Sequence, residues 1–185
     1  AGDTAVVFGA GPIGIGLWFA LRGKGLEDVF VVEPSPTRRA AIEALGATTL
    51  DPGGADVPAF IAEHTRGAGA DAVFDAAGVT PAVATALACV GSRKPMVSVA
   101  IYEKPLETPL LNLVMNESRI QGSLCYTGAD FEAVIALMAQ GAYDTTGWVT
   151  RISPELMHAP FGGTHLGLRM FSVNISLMFS LREFV

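Results

Sequence analysis

Residues 9–14 read Gly-Ala-Gly-Pro-Ile-Gly, and they separate two patterns of opposite kind. Before them, residues 4–8 form a short apolar run ending in Val6, Val7 and Phe8, the mark of a buried strand. After them Ile13, Leu17, Ala20, Leu21 and Lys24 recur at helical spacing, and Gly23 and Gly25 mark the helix end. A strand that passes through three glycines straight into a helix has few folded solutions. Gly9 permits a tight turn, Gly11 leaves room for a ligand to approach the backbone, and Gly14 permits close helix packing. Pro12 has no N–H to lose and suits a helix start. The free amides and positive end of that helix then face an anion such as a pyrophosphate. An acidic residue, Glu33, stands about twenty residues further on, at the end of the next strand pattern, where a dinucleotide fingerprint requires one. Its carboxylate is placed to accept hydrogen bonds from the adenosine ribose and to repel the extra phosphate of NADP, which makes NAD the expected cofactor. The alternative is that Glu33 only caps a strand end. Arg38 is open to two readings as well: a contact to the ribose or a phosphate, or a solvated helix residue beside Arg39. The same arginine pair also has the chemistry to accommodate a 2′-phosphate.

The rest of the chain repeats the alternation. Strands are expected at 28–33, 47–51, 71–78, 95–102 and 119–127, and helices at 35–46, 56–67, 80–91 and 128–141. Ser35 is a helix N-cap with Pro36 in the first turn, and Gly46 and Gly141 are helix stops. Strands alternating with helices of this length predict an α/β doubly wound parallel sheet, a Rossmann fold of about six strands with helices on both faces.

Composition narrows the function classes. Half of the 185 residues are hydrophobic and mean hydropathy is +0.43, which argues against a disordered chain. A net charge of −6 argues against nucleic acid as a partner. No uncharged apolar stretch of roughly 20 residues marks a membrane span, and no signal peptide is visible. Two isolated cysteines, Cys89 and Cys125, form no CxxC pair and fit a reduced, cytoplasmic protein. The chain enters a strand almost at once, so residue 1 is not expected to be a natural start.

Taken together, GAGPIG, the segment "VVEPSPTRRAAIEALGA", "DAVFDAAG" and "ESRIQGSLCYTGADF" resemble, in order and spacing, the coenzyme domain of the zinc-dependent medium-chain alcohol dehydrogenases. The similarity is greatest to the 2,3-butanediol and polyol dehydrogenase type and covers about residues 2–152. The resemblance implies that Pro12 and Ile13 line the pyrophosphate and that Glu33 and Arg38 flank the adenosine ribose. It implies that Ala76, Ala77, Val99 and Ala100 run along the nicotinamide half, where small residues let a flat ring lie close to the strand ends. It also implies a homo-oligomer joined edge to edge, with the segment 108–116 and the sixth strand at the edge.

The departures are as informative. In the family a separate N-terminal domain carries the catalytic zinc, held by Cys, His and an acidic residue, together with the proton relay. No such motif lies in this sequence, so zinc is expected only in a catalytic domain outside it, and no catalytic or metal-binding residue is expected within it. His158 and His165, beside Glu155, and His64 fit solvated or capping roles better than ligation. Residues 153–185 have no counterpart in the family. They alternate with period two over 172–181 and form an atypical tail, either a rearranged end or the product of a shifted reading frame. The function expected is therefore the NAD(H)-binding domain, residues 1–152, of an oxidoreductase that interconverts an alcohol or diol and a ketone or aldehyde by hydride transfer. The chain alone is expected to be inactive. A stand-alone dinucleotide-sensing module and a methyltransferase are the alternatives, the latter because that fold also pairs a glycine loop with an acidic strand end. A short-chain dehydrogenase is disfavoured, because no Tyr-x-x-x-Lys is present.

Overall fold

The computed structural model describes residues 3–145, apart from 103 and 109, together with residue 149. Six strands are named among them: β1 (Thr4–Phe8), β2 (Asp28–Val32), β3 (Thr48–Leu50), β4 (Ala72–Asp75), β5 (Pro95–Ser98) and β6 (Arg119–Gly122). They form one parallel sheet in the order β3-β2-β1-β4-β5-β6. The helices are α1 (Pro12–Gly23), α2 (Pro36–Glu43), α3 (Val57–His64), α4 (Thr80–Cys89), α5 (Leu110–Met115) and α6 (Gly128–Ala139). The chain order reverses between β1 and β4, which is the switch point where such sheets bind ligands at their carboxyl ends.

β1 is central and fully buried, and its alternation divides the core in two. Ala5 and Val7 point to one face, where Leu17, Trp18 and Leu21 of α1, Ile42 of α2 and Val134 of α6 cover them. Val6 and Phe8 point to the other, against Val57 and Ile61 of α3 and Val83 and Leu87 of α4. A strand covered on both faces has no polar alternation, which is why residues 4–8 read as one apolar run.

Local chemistry accounts for the helix starts. Ser35 accepts from the Arg38 amide and Asp56 from the Ala59 amide, each as an N-cap followed by a proline in the first turn. Thr127 and Asp130 make a reciprocal capping box that opens α6, with Thr127 accepting from the Asp130 amide and Asp130 from the Thr127 amide. At the opposite end of the sheet Asp71 joins two strands, accepting from the Thr4 amide at 3.0 Å and pairing with Lys94 at 2.7 Å.

The strands β2 to β6 are all shorter than the sequence pattern implies, and the last three end several residues early. β4 stops at Asp75 because its carboxylate takes up the amides of Ala77 and Gly78, which turns the chain out of the ladder. β5 stops at Ser98 because the amides of Val99 and Ala100 both converge on the Asp75 carbonyl. β6 ends at Gly122. The segment 108–116 is not a sheet edge: residues 110–115 form the short helix α5, and among the described residues β6 is the outermost strand on that side. Leu113 packs toward the core there while Leu111, Val114 and Met115 stay exposed, a pattern with no two-residue period to support a strand. The tail at 153–185, including its alternating part and His158 and His165, lies outside the described residues, as does the boundary at 152.

The glycines of the loop between β1 and α1 are not equivalent. A Cβ on Gly14 would lie 1.8 Å from the Gly9 carbonyl oxygen, whereas a Cβ on Gly11 meets nothing within 4 Å. Gly14→Ala is therefore expected to destabilise the fold by about 3 kcal/mol or more, lowering Tm by roughly 6–12 °C in a domain of this size. Gly11→Ala is expected to leave Tm within a few degrees. Thermal melts followed by circular dichroism measure both, and equal losses in the two variants would contradict this packing.

Candidate functional site

The loop from Gly9 to Gly14 leaves β1 and enters α1 without a side-chain cap. Gly11 occupies the N-cap position with no side chain to offer, Pro12 begins the helix, and no acidic residue sits in the first turn. Gly9 turns the chain at φ +100°, a left-handed conformation that any other residue adopts under strain. The amides of Ile13 and Gly14 have no protein acceptor among the described residues, so donors and the positive helix end face outward together. The surface beside Gly11 is open. These are the features of an anion cradle, set between β1 and α1 at the switch point.

Glu33 stands directly beside that loop. Its carboxylate is 3% exposed and already engaged: Oε2 accepts from the Ala10 amide at 2.8 Å and Oε1 from the Ser35 amide at 2.9 Å. One carboxylate thus ties the glycine loop to the turn after β2. A carboxylate accepts about four hydrogen bonds, so acceptor capacity remains for hydroxyl groups. The Arg38 guanidinium lies 3.8 Å from Oε2 on a side chain that is 63% exposed. Arg39 is committed elsewhere. It donates to the carbonyls of Glu33 and Pro34 and pairs with Asp51 at 2.9 Å, closing the turns after β2 and β3 on each other. Of the two adjacent arginines, only Arg38 faces solvent with its charge available beside Glu33.

The loops after β4 and β5 continue the row. A Cβ on Gly9 would pack at 3.3 Å against the carbonyl of Ala76, which places the glycine loop against the end of β4. Ala76 is half-buried, Ala77 is exposed and Ala100 is half-buried. Val99 differs from the other three: its side chain belongs to the core on the α1 face, so only its main chain is offered to the surface. The residue that organises this end is Asp75, fully buried and hydrogen-bonded through every oxygen it has. Its importance is not legible in the motif. The available signal is a single acid inside the apolar run of "DAVFDAAG", followed at once by three small residues. The structure therefore brings Glu33, residues 9–14, Ala76, Ala77, Val99 and Ala100 onto one continuous ridge along the carboxyl ends of β2, β1, β4 and β5.

Other groups lie away from this ridge. A pocket of about 240 Å³ opens at the amino ends of the strands, between Thr4, Asp71, Lys94 and Arg119. Its cations include Lys94 paired with Asp71 and Arg93 paired with Glu117 at 2.7 Å, so its charges largely answer one another. His64, exposed in the last turn of α3, pairs with Asp28 at 3.3 Å and packs edge-on against Phe30. Burial pushes the Cys89 thiol up to about 12, with the Asp56 charge adding to the effect, so it behaves as a core residue. Among the described residues no group of three or more His, Cys, Asp or Glu side chains is placed to hold a metal, and zinc has no donor set here. No described helix is long and apolar enough to cross a membrane.

Comparison with known proteins agrees with this geometry. The family profile described as zinc-binding dehydrogenase matches residues 12–140. An (R,R)-butanediol dehydrogenase of Bacillus subtilis is 37% identical over 165 residues, covering 88% of this chain and 47% of that protein. A probable diacetyl reductase ((R)-acetoin forming) of Saccharomyces cerevisiae is 35% identical over 150 residues, covering 78% of this chain and 36% of that protein. The crystal structure of 2R,3R-butanediol dehydrogenase from Bacillus subtilis superposes with a TM-score of 0.73 at 38% identity, over 78% of this chain and 42% of that one. The chain thus spans less than half the length of these relatives. The family match spans Glu33, Ala76, Ala77, Val99 and Ala100 and decides against a methyltransferase. The chain belongs to the zinc-binding dehydrogenase family.

Proposed function

We propose that this chain is the NAD(H)-binding part of an oxidoreductase that interconverts an alcohol or diol and a ketone or aldehyde. The observation that carries this is the uncapped glycine loop at the switch point, tied by the Ala10 amide to the carboxylate of Glu33. Gly9, Gly11, Pro12, Ile13 and Gly14 form the pyrophosphate cradle. Glu33, with Arg38 beside it, meets the adenosine ribose. Ala76 and Ala77, with the main chain of Val99 and with Ala100, form the floor under the nicotinamide. The bound cofactor supplies the hydride acceptor or donor; these residues hold and orient it. The dinucleotide-binding unit is residues 1–152, and 153–185 form an atypical tail. Zinc, in this proposal, belongs to a catalytic domain outside these 185 residues, and the small alcohol binds there. The free thiols of Cys89 and Cys125 support a reducing, cytoplasmic setting.

The exposed flank supports a homo-oligomer. Among the described residues β6 is an edge strand, and Ile120, Leu124 and Tyr126 on and after it are exposed, as are Leu111 and Met115 of α5. An unprotected apolar edge of this kind pairs with another strand, and the occupant proposed is β6 of a second copy. Light scattering over a range of concentrations is expected to show a dimer, and Ile120→Lys to shift it toward monomer. A monomer at every concentration overturns this part of the proposal.

Cofactor choice follows from charge. A 2′-phosphate beside the Glu33 carboxylate meets a buried negative charge, while Arg39 is held by Asp51 and two carbonyls. The expected preference for NADH over NADPH is at least about tenfold, and Glu33→Gln is expected to narrow it to about threefold. Calorimetric titration of both cofactors checks this, and equal affinities in the unmodified chain would place the phosphate preference with Arg38.

The chain by itself is expected to bind NADH without oxidising an alcohol. Hydride transfer from an alcohol needs a polarised oxygen and an acceptor for its proton, and in this proposal both belong to the catalytic domain outside these residues. Each 1.36 kcal/mol of missing transition-state stabilisation is about tenfold in rate. Incubation with NAD, added zinc and a panel of short diols, followed by absorbance of the reduced cofactor, is expected to show no turnover above background. Turnover at ordinary enzyme rates overturns the assignment of these residues to binding alone.

A further inference from the structure

We propose that Tyr102 is a positioning residue for the nicotinamide half of the site, its hydroxyl latching the β5 loop to the turn after β4 through Asp75. The inference rests on the NAD(H)-binding proposal above. Its ground is the number of groups that converge on Asp75. Oδ1 accepts from the amides of Ala77 at 2.9 Å and Gly78 at 3.1 Å. The main-chain carbonyl accepts from the amides of Val99 at 3.0 Å and Ala100 at 3.1 Å. Oδ2 accepts from the Tyr102 hydroxyl at 2.6 Å. The phenol has one hydrogen and gives it to Asp75, so the Ser98 hydroxyl, 2.6 Å away, donates to the phenol oxygen.

Side-chain parity separates this network from the surface it supports. Val73 and Met96 belong to the core on the α3/α4 face, and Phe74, Val97 and Val99 to the core on the α1 face. Asp75 and Ser98 continue the first set, and Tyr102 packs against that same core. Tyr102 thus lies behind the two loops and acts on their backbone. The loops themselves are in close contact: a Cβ on Gly78 would lie 3.0 Å from the Ala100 Cβ and 3.1 Å from the Ile101 carbonyl oxygen. A shift of the β5 loop is therefore transmitted to Ala77 and Gly78, and the floor under the ring moves as one piece. Burial pushes the Tyr102 hydroxyl up to about 12, with the hydrogen bond to Asp75 adding to the rise, so the latch keeps its proton throughout the neutral range. Removing the phenol oxygen leaves a buried carboxylate oxygen without its donor, and the carboxylate must then reorient, which disturbs the turn its other oxygen holds. Glu33 spends its carboxylate on the Ala10 and Ser35 amides rather than on this network, and the glycine loop meets the turn after β4 where Gly9 backs on the main chain of Ala76 and Ala77, so the adenosine half is expected to change far less than the nicotinamide half.

The test compares NADH with ADP-ribose, which carries the adenosine and pyrophosphate but no nicotinamide. Dissociation constants of both are measured by calorimetry on the full chain, on Tyr102→Phe and on Ser98→Ala. The unmodified chain is expected to bind both. Tyr102→Phe is expected to weaken NADH about tenfold and ADP-ribose less than twofold. Ser98→Ala, which keeps the Tyr102–Asp75 bond, is expected to weaken NADH alone by about threefold. Loss of both ligands in equal proportion, or of neither, overturns the latch while leaving the cofactor proposal standing. Failure of the unmodified chain to bind either ligand overturns the cofactor proposal, and the latch with it. If Tyr102→Phe does not fold, the selective loss in Ser98→Ala decides the matter, and its absence overturns the latch.

Discussion

The Gly9 carbonyl oxygen lies so close to Gly14 that a methyl group has no room between them. That contact sets the first turn of α1 directly on the end of β1, and the remaining geometry of the site depends on it. The Gly9 and Ala10 amides are taken up by Val32 and Glu33, and those of Ile13 and Gly14 keep no acceptor among the described residues. α1 then runs back along the sheet at the depth where Leu17, Trp18 and Leu21 reach the Ala5 and Val7 side of β1. Gly9 itself is pressed against Ala76, so the position of the glycine loop also sets its distance from the end of β4. A larger residue at Gly14 would push the helix, the loop and the neighbouring strand end apart together.

Two buried carboxylates flank that loop and act alike. Glu33 at the end of β2 holds the amides of Ala10 and Ser35, and Asp75 at the end of β4 holds those of Ala77 and Gly78. A buried charge without hydrogen bonds is costly, so each acid has to organise the backbone around it. In a parallel sheet the loops that bear function leave from the same edge, and there the ladder no longer satisfies their amides. The acids take over that task. The outcome is a row of strand ends whose turns are held from beneath by two buried acids.

The other flank of the sheet is built differently. α5 and β6 expose Leu111, Met115, Ile120 and Leu124, while the centre of the sheet has almost no apolar surface left open. The polarity of the chain thus changes across the sheet, from a satisfied polar ridge at β2, β1 and β4 to an unsatisfied apolar margin at β6.

The local signals in the sequence were sufficient for the alternation of elements, for the parallel α/β class and for the glycine loop. β-Branched runs, proline at helix starts, Ser35 as a cap and a glycine at φ +100° each depend on a residue and its immediate neighbours. The place of Glu33 at a strand end was legible in the same way. What Glu33 touches was not, nor was the commitment of Arg39 to Asp51, the short helix in 110–115, or the role of Asp75 and Tyr102. Ala10 and Glu33 are 23 residues apart, and Asp75 and Tyr102 are 27 apart. Those hydrogen bonds exist only when β2, β1, β4 and β5 lie side by side and their ends emerge on one edge. Residue type and spacing determine which elements can form; which amide meets which carboxylate is decided by strand order and register, and these are properties of the packed sheet.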